Sequence, residues 1–162
     1  MPETIEIQLK KGVLTLCVLA LLNRHDSYAY EIASTLSDAI DMGEGTIYPL
    51  MRRMQSDGQV ETYLVESPSG PSRKYYRLTD AGRRALAAQT TEWGAFARAV
   101  ELGSFSAVGR ELGLTQSTVS KHIAALEAEL KVQLFARTTR KLSPTPEALR
   151  LYDAVQHLLE AA

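Results

Sequence analysis

Thr115-Gln116-Ser117-Thr118-Val119-Ser120-Lys121 gathers short hydroxyls, an amide and an ammonium within two helical turns. Such groups suit phosphate oxygens and base edges in a DNA major groove. On a helix, Gln116, Ser117, Thr118, Ser120 and Lys121 lie away from an apolar stripe of Val119, Ile123, Leu126 and Leu130. A second set has the same character: Thr46, Tyr48, Pro49, Arg52 and Arg53 stand opposite Ile47, Leu50, Met51 and Met54. Basic residues cluster just downstream of both sets. Residues 70–84 carry Arg73, Lys74, Arg77, Arg83 and Arg84 against one acid, Asp80; residues 130–146 carry Lys131, Arg137, Arg140 and Lys141 and no acid. The chemistry implied is attraction to a polyanion with selection at base edges. Catalysis has no comparable support, because serines, histidines and acids are scattered and no glycine-rich phosphate loop follows a strand. His25, His122 and His157 lie far apart without clustered carboxylates, so neither a metal site nor a cofactor is expected.

The elements that position these groups are legible from spacing. Leu9, Val13, Leu14, Leu16 and Cys17 predict a helix over 9–23. Ser27 is expected to cap a second helix through about Asp38, with Tyr28, Ile32 and Leu36 inward. A third runs from about Gly45 to Asp57, closed by Gly58. Val60–Glu66 and Arg73–Leu78 read as strands around Ser67-Pro68-Ser69-Gly70-Pro71-Ser72, which gives a hairpin and hence a winged helix. Thr79 caps a long helix from Asp80 to about Leu102 that carries Leu86, Gln89, Trp93, Phe96 and Val100 along one side.

The order then recurs. A Ser104-capped helix, a turn at Gly113-Leu114 and a Thr115-capped helix form a helix-turn-helix, with Gly109 at the close crossing. Leu134–Arg137 and Lys141–Ser143 form a shorter wing around Thr138, Thr139 and Arg140. A last helix starts near Pro146 and bears Leu149, Tyr152, Val155, Leu158 and Leu159. The expected fold is mainly α with small β-hairpin wings: two winged helix-turn-helix modules, 1–95 and 96–162, sharing a long connecting helix.

Composition sets the frame. With 162 residues, 45% apolar and 23% charged, the chain is globular rather than disordered, and its formal charge of -1 means that any basic surface is local. The longest apolar run, Gly12 to Leu22, falls short of the ~20 residues a bilayer requires and lacks a cleavage signature, so a cytoplasmic protein is expected. Cys17, the single cysteine, lies inside that run as core filler and has no partner for an internal disulfide.

Residues 9–92 resemble the winged-helix domain of PadR-type transcriptional regulators. The carriers are the apolar first helix, Tyr30-Glu31-Ile32, GTIYPLMRRMQSDG (45–58) and RKYYRLTDAGRRAL (73–86). The resemblance implies that Thr46–Arg53 reads DNA, that Ser69–Tyr75 contacts the backbone, and that the 80–102 helix dimerises. Residues 96–161 are similar to the N-terminal DNA-binding domain of LysR-type regulators, through FARAVELGSFSAVGRELGLTQSTVSKHIAALEAEL, LFARTTRKLSPTPEA and the closing helix. That likeness implies a 115–130 helix in the major groove, a wing at Arg137–Arg140 and a last helix that pairs two chains. Two departures stand out: no effector-binding domain is expected within these 162 residues, where the resemblance would have one follow, and Ala148 stands where a glycine is usual. The two resemblances meet within one helix, with no linker between them.

The reading that follows is a transcription regulator on double-stranded DNA. It is expected to work as a homodimer through helix 80–102, helix 146–161 or both, on a palindromic operator. Its contacts would come from Thr46, Tyr48, Arg52, Arg53, Arg73, Lys74, Gln116, Ser117, Thr118, Ser120, Lys121, Arg137, Thr138 and Arg140. Two alternatives stand beside it: a modulator in which one module is a protein-interaction or dimerisation surface, and a sensor in which Trp93 and Phe96 line a pocket between paired subunits for a small aromatic effector, as some PadR-type proteins use that helix.

Overall fold

In a computed structural model the backbone is described for residues 5–40, 42–137 and 142–160, and the side chains for these residues apart from 5–12 and 137. The chain runs α1 (Ile5–Arg24), β1 (Ser27–Tyr28), α2 (Ala29–Ile40), α3 (Glu44–Ser56), β2 (Val60–Ser67), β3 (Gly70–Leu78), α4 (Asp80–Leu102), α5 (Phe105–Leu112), α6 (Gln116–Leu130), β4 (Phe135–Arg137), β5 (Leu142–Pro144) and α7 (Pro146–Glu160). A helix that is apolar all round has to be covered all round. In α1, Val13, Leu14 and every residue from Leu16 to Leu22 are buried, under α2, α3, β3, α4, α6 and α7. Cys17 belongs to this interior, and burial pushes its thiol up to about 12, which leaves it an inert filler.

Two local expectations change. Ser27 does not cap α2. Instead Ser27 and Tyr28 are extended and pair with Tyr76 and Tyr75 of β3, giving a three-stranded antiparallel sheet in the order β1-β3-β2. Strand alternation buries Ser27 and turns Tyr28 to the opposite face, so Tyr28 is not the inward helical residue expected. The hairpin turn is also tighter than expected, since β2 extends to Ser67 and β3 starts at Gly70. Pro71 falls where the register shifts, with Pro71 and Ser72 together opposite Glu66, and such an irregularity is a place where a strand accommodates proline.

Helix α4 carries the chain from the first half into the second. Trp93, Ala95, Phe96, Ala97 and Ala99 are buried, whereas Val100 is only half-buried. Phe96 packs on Trp93 (centroids 5.1 Å apart) and on Phe135 (6.0 Å), and Phe135 meets Phe105 edge-on at 5.6 Å. The buried residues of both halves form one hydrophobic cluster. Across it, Arg24 donates to the Leu158 carbonyl (2.7 Å) and the Trp93 indole N–H donates to Gln156 Oε1 (2.7 Å). Helix α7 faces the core with Ala148, Leu151, Val155 and Leu158. This stripe obeys the helical period but is rotated from the expected one, leaving Leu149 45% exposed.

Two positions give opposite backbone tests. A Cβ on Gly82 would lie 2.0 Å from the Gln59 carbonyl oxygen, while Lys131 caps α6 in a left-handed conformation (φ 57°) that glycine adopts without strain. Gly82→Ala is expected to lower stability by about 1–3 kcal/mol through overpacking. Lys131→Gly is expected to raise it by about 0.5–1 kcal/mol through relief of strain. Urea unfolding of both variants checks the pair.

Candidate nucleic-acid interface

In the first half, α2 and α3 form the helix pair and α3 presents the polar side. The Gly43 carbonyl accepts from the backbone N–H groups of Thr46 and Ile47, starting the helix without a side-chain cap. Ile47, Met51 and Met54 anchor α3, Leu50 is half-buried, and Arg52 and Arg53 are exposed. Thr46 and Tyr48 are half-buried beside them. Burial, followed by the proximity of Glu44, Tyr30 and Tyr76, pushes the Tyr48 phenol up from its ordinary value, so it stays a neutral hydrogen-bonding group. Tyr30, in the first turn of α2 and 60% exposed, joins this surface unannounced by the sequence reading. Its signal was present: a large aromatic off the Ile32–Leu36 stripe has no core to enter.

The first wing is ordered by aromatic contacts. Arg73 lies over the Tyr28 ring at 4.7 Å, Lys74 over Tyr76 at 5.7 Å and Arg77 over Tyr63 at 5.1 Å. Arg77 also pairs with Glu61 at 2.8 Å, and the Tyr63 hydroxyl donates to Asp26 at 2.6 Å. Among the described residues Arg73 and Lys74 form no ion pair, whereas Arg83 is tied to Asp80 at 2.9 Å.

In the second half the expected turn chemistry is present atom by atom. Ser104 Oγ accepts from the Ala107 N–H and Thr115 Oγ1 from the Thr118 N–H. Gly113 is left-handed (φ 70°), and a Cβ on Gly109 would stand 2.6 Å from the Leu114 carbonyl oxygen. Helix α6 sinks Val119, Ile123, Leu126 and Leu130 into the core. Gln116, Ser117 and Lys121 are exposed; Thr118 and Ser120 are half-buried. The Thr118 hydroxyl is 2.8 Å from that of Thr115, so cap and candidate contact are one unit. Glu127 accepts from the Leu134 N–H (2.7 Å), and Thr145 bonds to the Gln133 carbonyl while capping α7, which fixes the root of the second wing. Arg137 pairs through its backbone with Leu142; its side chain, and Thr138, Thr139, Arg140 and Lys141, lie outside the described residues.

Behind these surfaces, Arg98 bridges Glu101 and Glu111, and the Tyr152 hydroxyl donates to Glu101, joining α4, α5 and α7. The Tyr152 hydrogen bond and then the Arg98 guanidinium, against the pull of burial, hold the Glu101 carboxyl below its ordinary range. Phe96 is wholly buried in the aromatic core. Trp93 reaches the wall of a cleft of about 290 Å³ between α1, α4 and α7, lined also by Asn23, Thr90, Gln156 and Glu160. The described residues contain no cluster of potential metal ligands and no helix long and apolar enough to cross a membrane.

Comparison with known proteins separates the two halves. Residues 18–88 match the transcriptional regulator PadR-like family, and residues 91–149 match the bacterial regulatory helix-turn-helix proteins of the lysR family. A crystal structure of a PadR-like transcriptional regulator from Bacillus cereus is 38% identical, with a TM-score of 0.54, and the match covers 58% of this chain and 93% of that one. The probable HTH-type transcriptional regulator LtrA of Klebsiella pneumoniae is 45% identical over 67 residues, 41% of this chain. The match spans only 22% of that relative's length. An uncharacterised protein X from Lysinibacillus sphaericus is 29% identical over 96 residues, which cover 88% of it.

The cap of α6 gives a local test. Thr115→Ala removes the acceptor for the Thr118 N–H and is expected to cost about 1 kcal/mol. That should appear as a fall in melting temperature of about 2–4 °C, and Thr115→Ser should recover most of it.

Proposed function

We propose that this chain, a member of the PadR-like family of transcriptional regulators over residues 18–88 that also matches the bacterial regulatory helix-turn-helix proteins of the lysR family over residues 91–149, is a DNA-binding transcriptional regulator that grips its operator with both modules. The observation that carries this reading is that α3 and α6 each expose a polar face, each beside a wing, on one continuous core. Arg52, Arg53, Arg73, Lys74, Arg137 and Arg140 supply phosphate attraction in this reading. Thr46, Tyr48, Gln116, Ser117, Thr118, Ser120 and Lys121 select at base edges or fix the adjacent backbone, with Thr138 on the second wing. Neither matched family is one of enzymes. The work is assigned to the cytoplasm, where a bacterial regulator meets its DNA.

We place the homodimer contact on the outer side of α4, because the apolar stripe of α7 is already spent against α1, α2 and α4. Two-fold pairing then calls for a palindromic site whose half-sites lie ~34 Å, or a multiple, apart. The cleft beside Trp93 supports a second element, a small aromatic effector held between α1, α4 and α7; Phe96, sealed in the core, takes no part in it. The competing modulator reading keeps one module as a protein-binding surface.

Fluorescence anisotropy with the duplex upstream of the gene and a random duplex, at two salt concentrations, tests the proposal. Tighter binding to the upstream duplex is expected. Arg52→Ala should reduce the salt slope by about 0.9. Gln116→Ala should weaken specific binding by about 1–3 kcal/mol with little change of slope. If Gln116→Ala and Lys121→Ala leave binding untouched while Arg52→Ala weakens it, the second module does not read DNA and the modulator reading holds.

A further inference from the structure

The outer face of the three-stranded sheet carries a row of planar groups that DNA contact by exposed lysines and arginines does not require. Tyr28 of β1 is registered opposite Tyr75 of β3, and Tyr75 opposite Tyr63 of β2, so strand pairing alone puts three phenol rings side by side. Tyr28 and Tyr75 have centroids 5.5 Å apart, and Tyr75 and Tyr63 are stacked at 5.7 Å with 25° between their planes. A guanidinium closes each end, Arg73 over Tyr28 and Arg77 over Tyr63.

The two ends differ. The Arg77 end is tied down, with Arg77 on Glu61 and the Tyr63 hydroxyl on Asp26. At the other end Arg73 is exposed, with the Tyr28 ring as its contact and no carboxylate partner among the described residues. A long side chain on a wing ordinarily loses rotamer freedom when it meets a phosphate. One already laid on a ring has given up part of that freedom, and its donors still point outward.

We propose that Tyr28 is a positioning residue for DNA binding: anchored through Tyr75 and Tyr63, it holds the Arg73 guanidinium in place for a phosphate. The role explains β1 itself. Its two residues place Ser27 in the core and Tyr28 under Arg73, and α2 begins at the next residue. The first helix of the helix-turn-helix and the wing are thereby joined at one ring. This inference rests on the reading that Arg73 contacts DNA, and the experiment separates the two.

Anisotropy titrations at several salt concentrations are run on the full chain with Arg73→Ala, Tyr28→Val, Tyr28→Phe and the double variant Tyr28→Val/Arg73→Ala. Arg73→Ala should weaken binding and reduce the salt slope. Tyr28→Val should weaken binding about two- to five-fold, the size of an exposed cation–π contact. Tyr28→Phe should bind like the parent, and the double variant should bind no worse than Arg73→Ala alone. In the unbound protein the Arg73 side-chain resonances should be shifted by the ring current, a shift kept in Tyr28→Phe and lost in Tyr28→Val. If Arg73→Ala acts but Tyr28→Val is silent or fully additive, or if the parent shows no ring-current shift, Tyr28 does not position Arg73. If Arg73→Ala has no effect, the assignment of Arg73 to DNA fails, and the role of Tyr28 fails with it.

Discussion

Everything in this molecule is arranged around the burial of α1. A helix with apolar side chains on all sides gains nothing from a single layer, because each uncovered flank leaves leucines and valines in water. The first winged helix covers it with α2, α3 and β3, and α4, α6 and α7 close the remaining sides. The second module therefore serves as part of the first module's core, and α3 and α6 are held by a common interior. The rings of Trp93, Phe96, Phe105 and Phe135 fill the joint, and the hydrogen bonds of Arg24 and Trp93 to α7 satisfy polar groups at its edge.

Against that rigid interior, the surface is organised by local rules. Caps at Thr79, Ser104 and Thr115 and the left-handed turn at Gly113 are decided within a few residues, so each helix-turn-helix component starts and stops where its own sequence dictates. The charge arrangement is equally local. A chain of net charge -1 carries cations on its first wing because acids such as Asp38, Glu44 and Glu92 lie elsewhere, while Glu61 and Asp80 neutralise Arg77 and Arg83 individually.

The contrast between local and long-range causes explains what could be read in advance. The α5–α6 pair was legible to the residue, because Ser104, Gly109, Gly113 and Thr115 act on their own neighbours. The winged order and the long α4 were legible from periodicity. Ser27 and Tyr28 were not: a serine before an amphipathic stretch is a good cap, and only the distant Tyr75–Tyr76 edge makes an extended pair the better use of those two residues. Leu149 misled for a similar reason. Several stripes on α7 satisfy the helical period, and the shape of the α1 surface selects the one through Ala148, Leu151, Val155 and Leu158. Gly82 was silent because its constraint is the Gln59 carbonyl, more than twenty residues away.

Helix α4 runs without a break from Asp80 to Leu102, and its first turns belong to one winged helix-turn-helix while its last belong to the other. A continuous helix turns by about 100° with each residue. Its length therefore sets a dihedral phase between the two helix-turn-helix surfaces, as the keyed shaft of a lock sets the angle between its cams. One residue more or less would swing the second surface by more than a quarter turn and pull Phe96 and α7 away from α1 together. Seven residues, about two turns, would restore the angle to within about 20° but move the second surface ~10 Å along the axis, so no small change of length recovers both angle and packing.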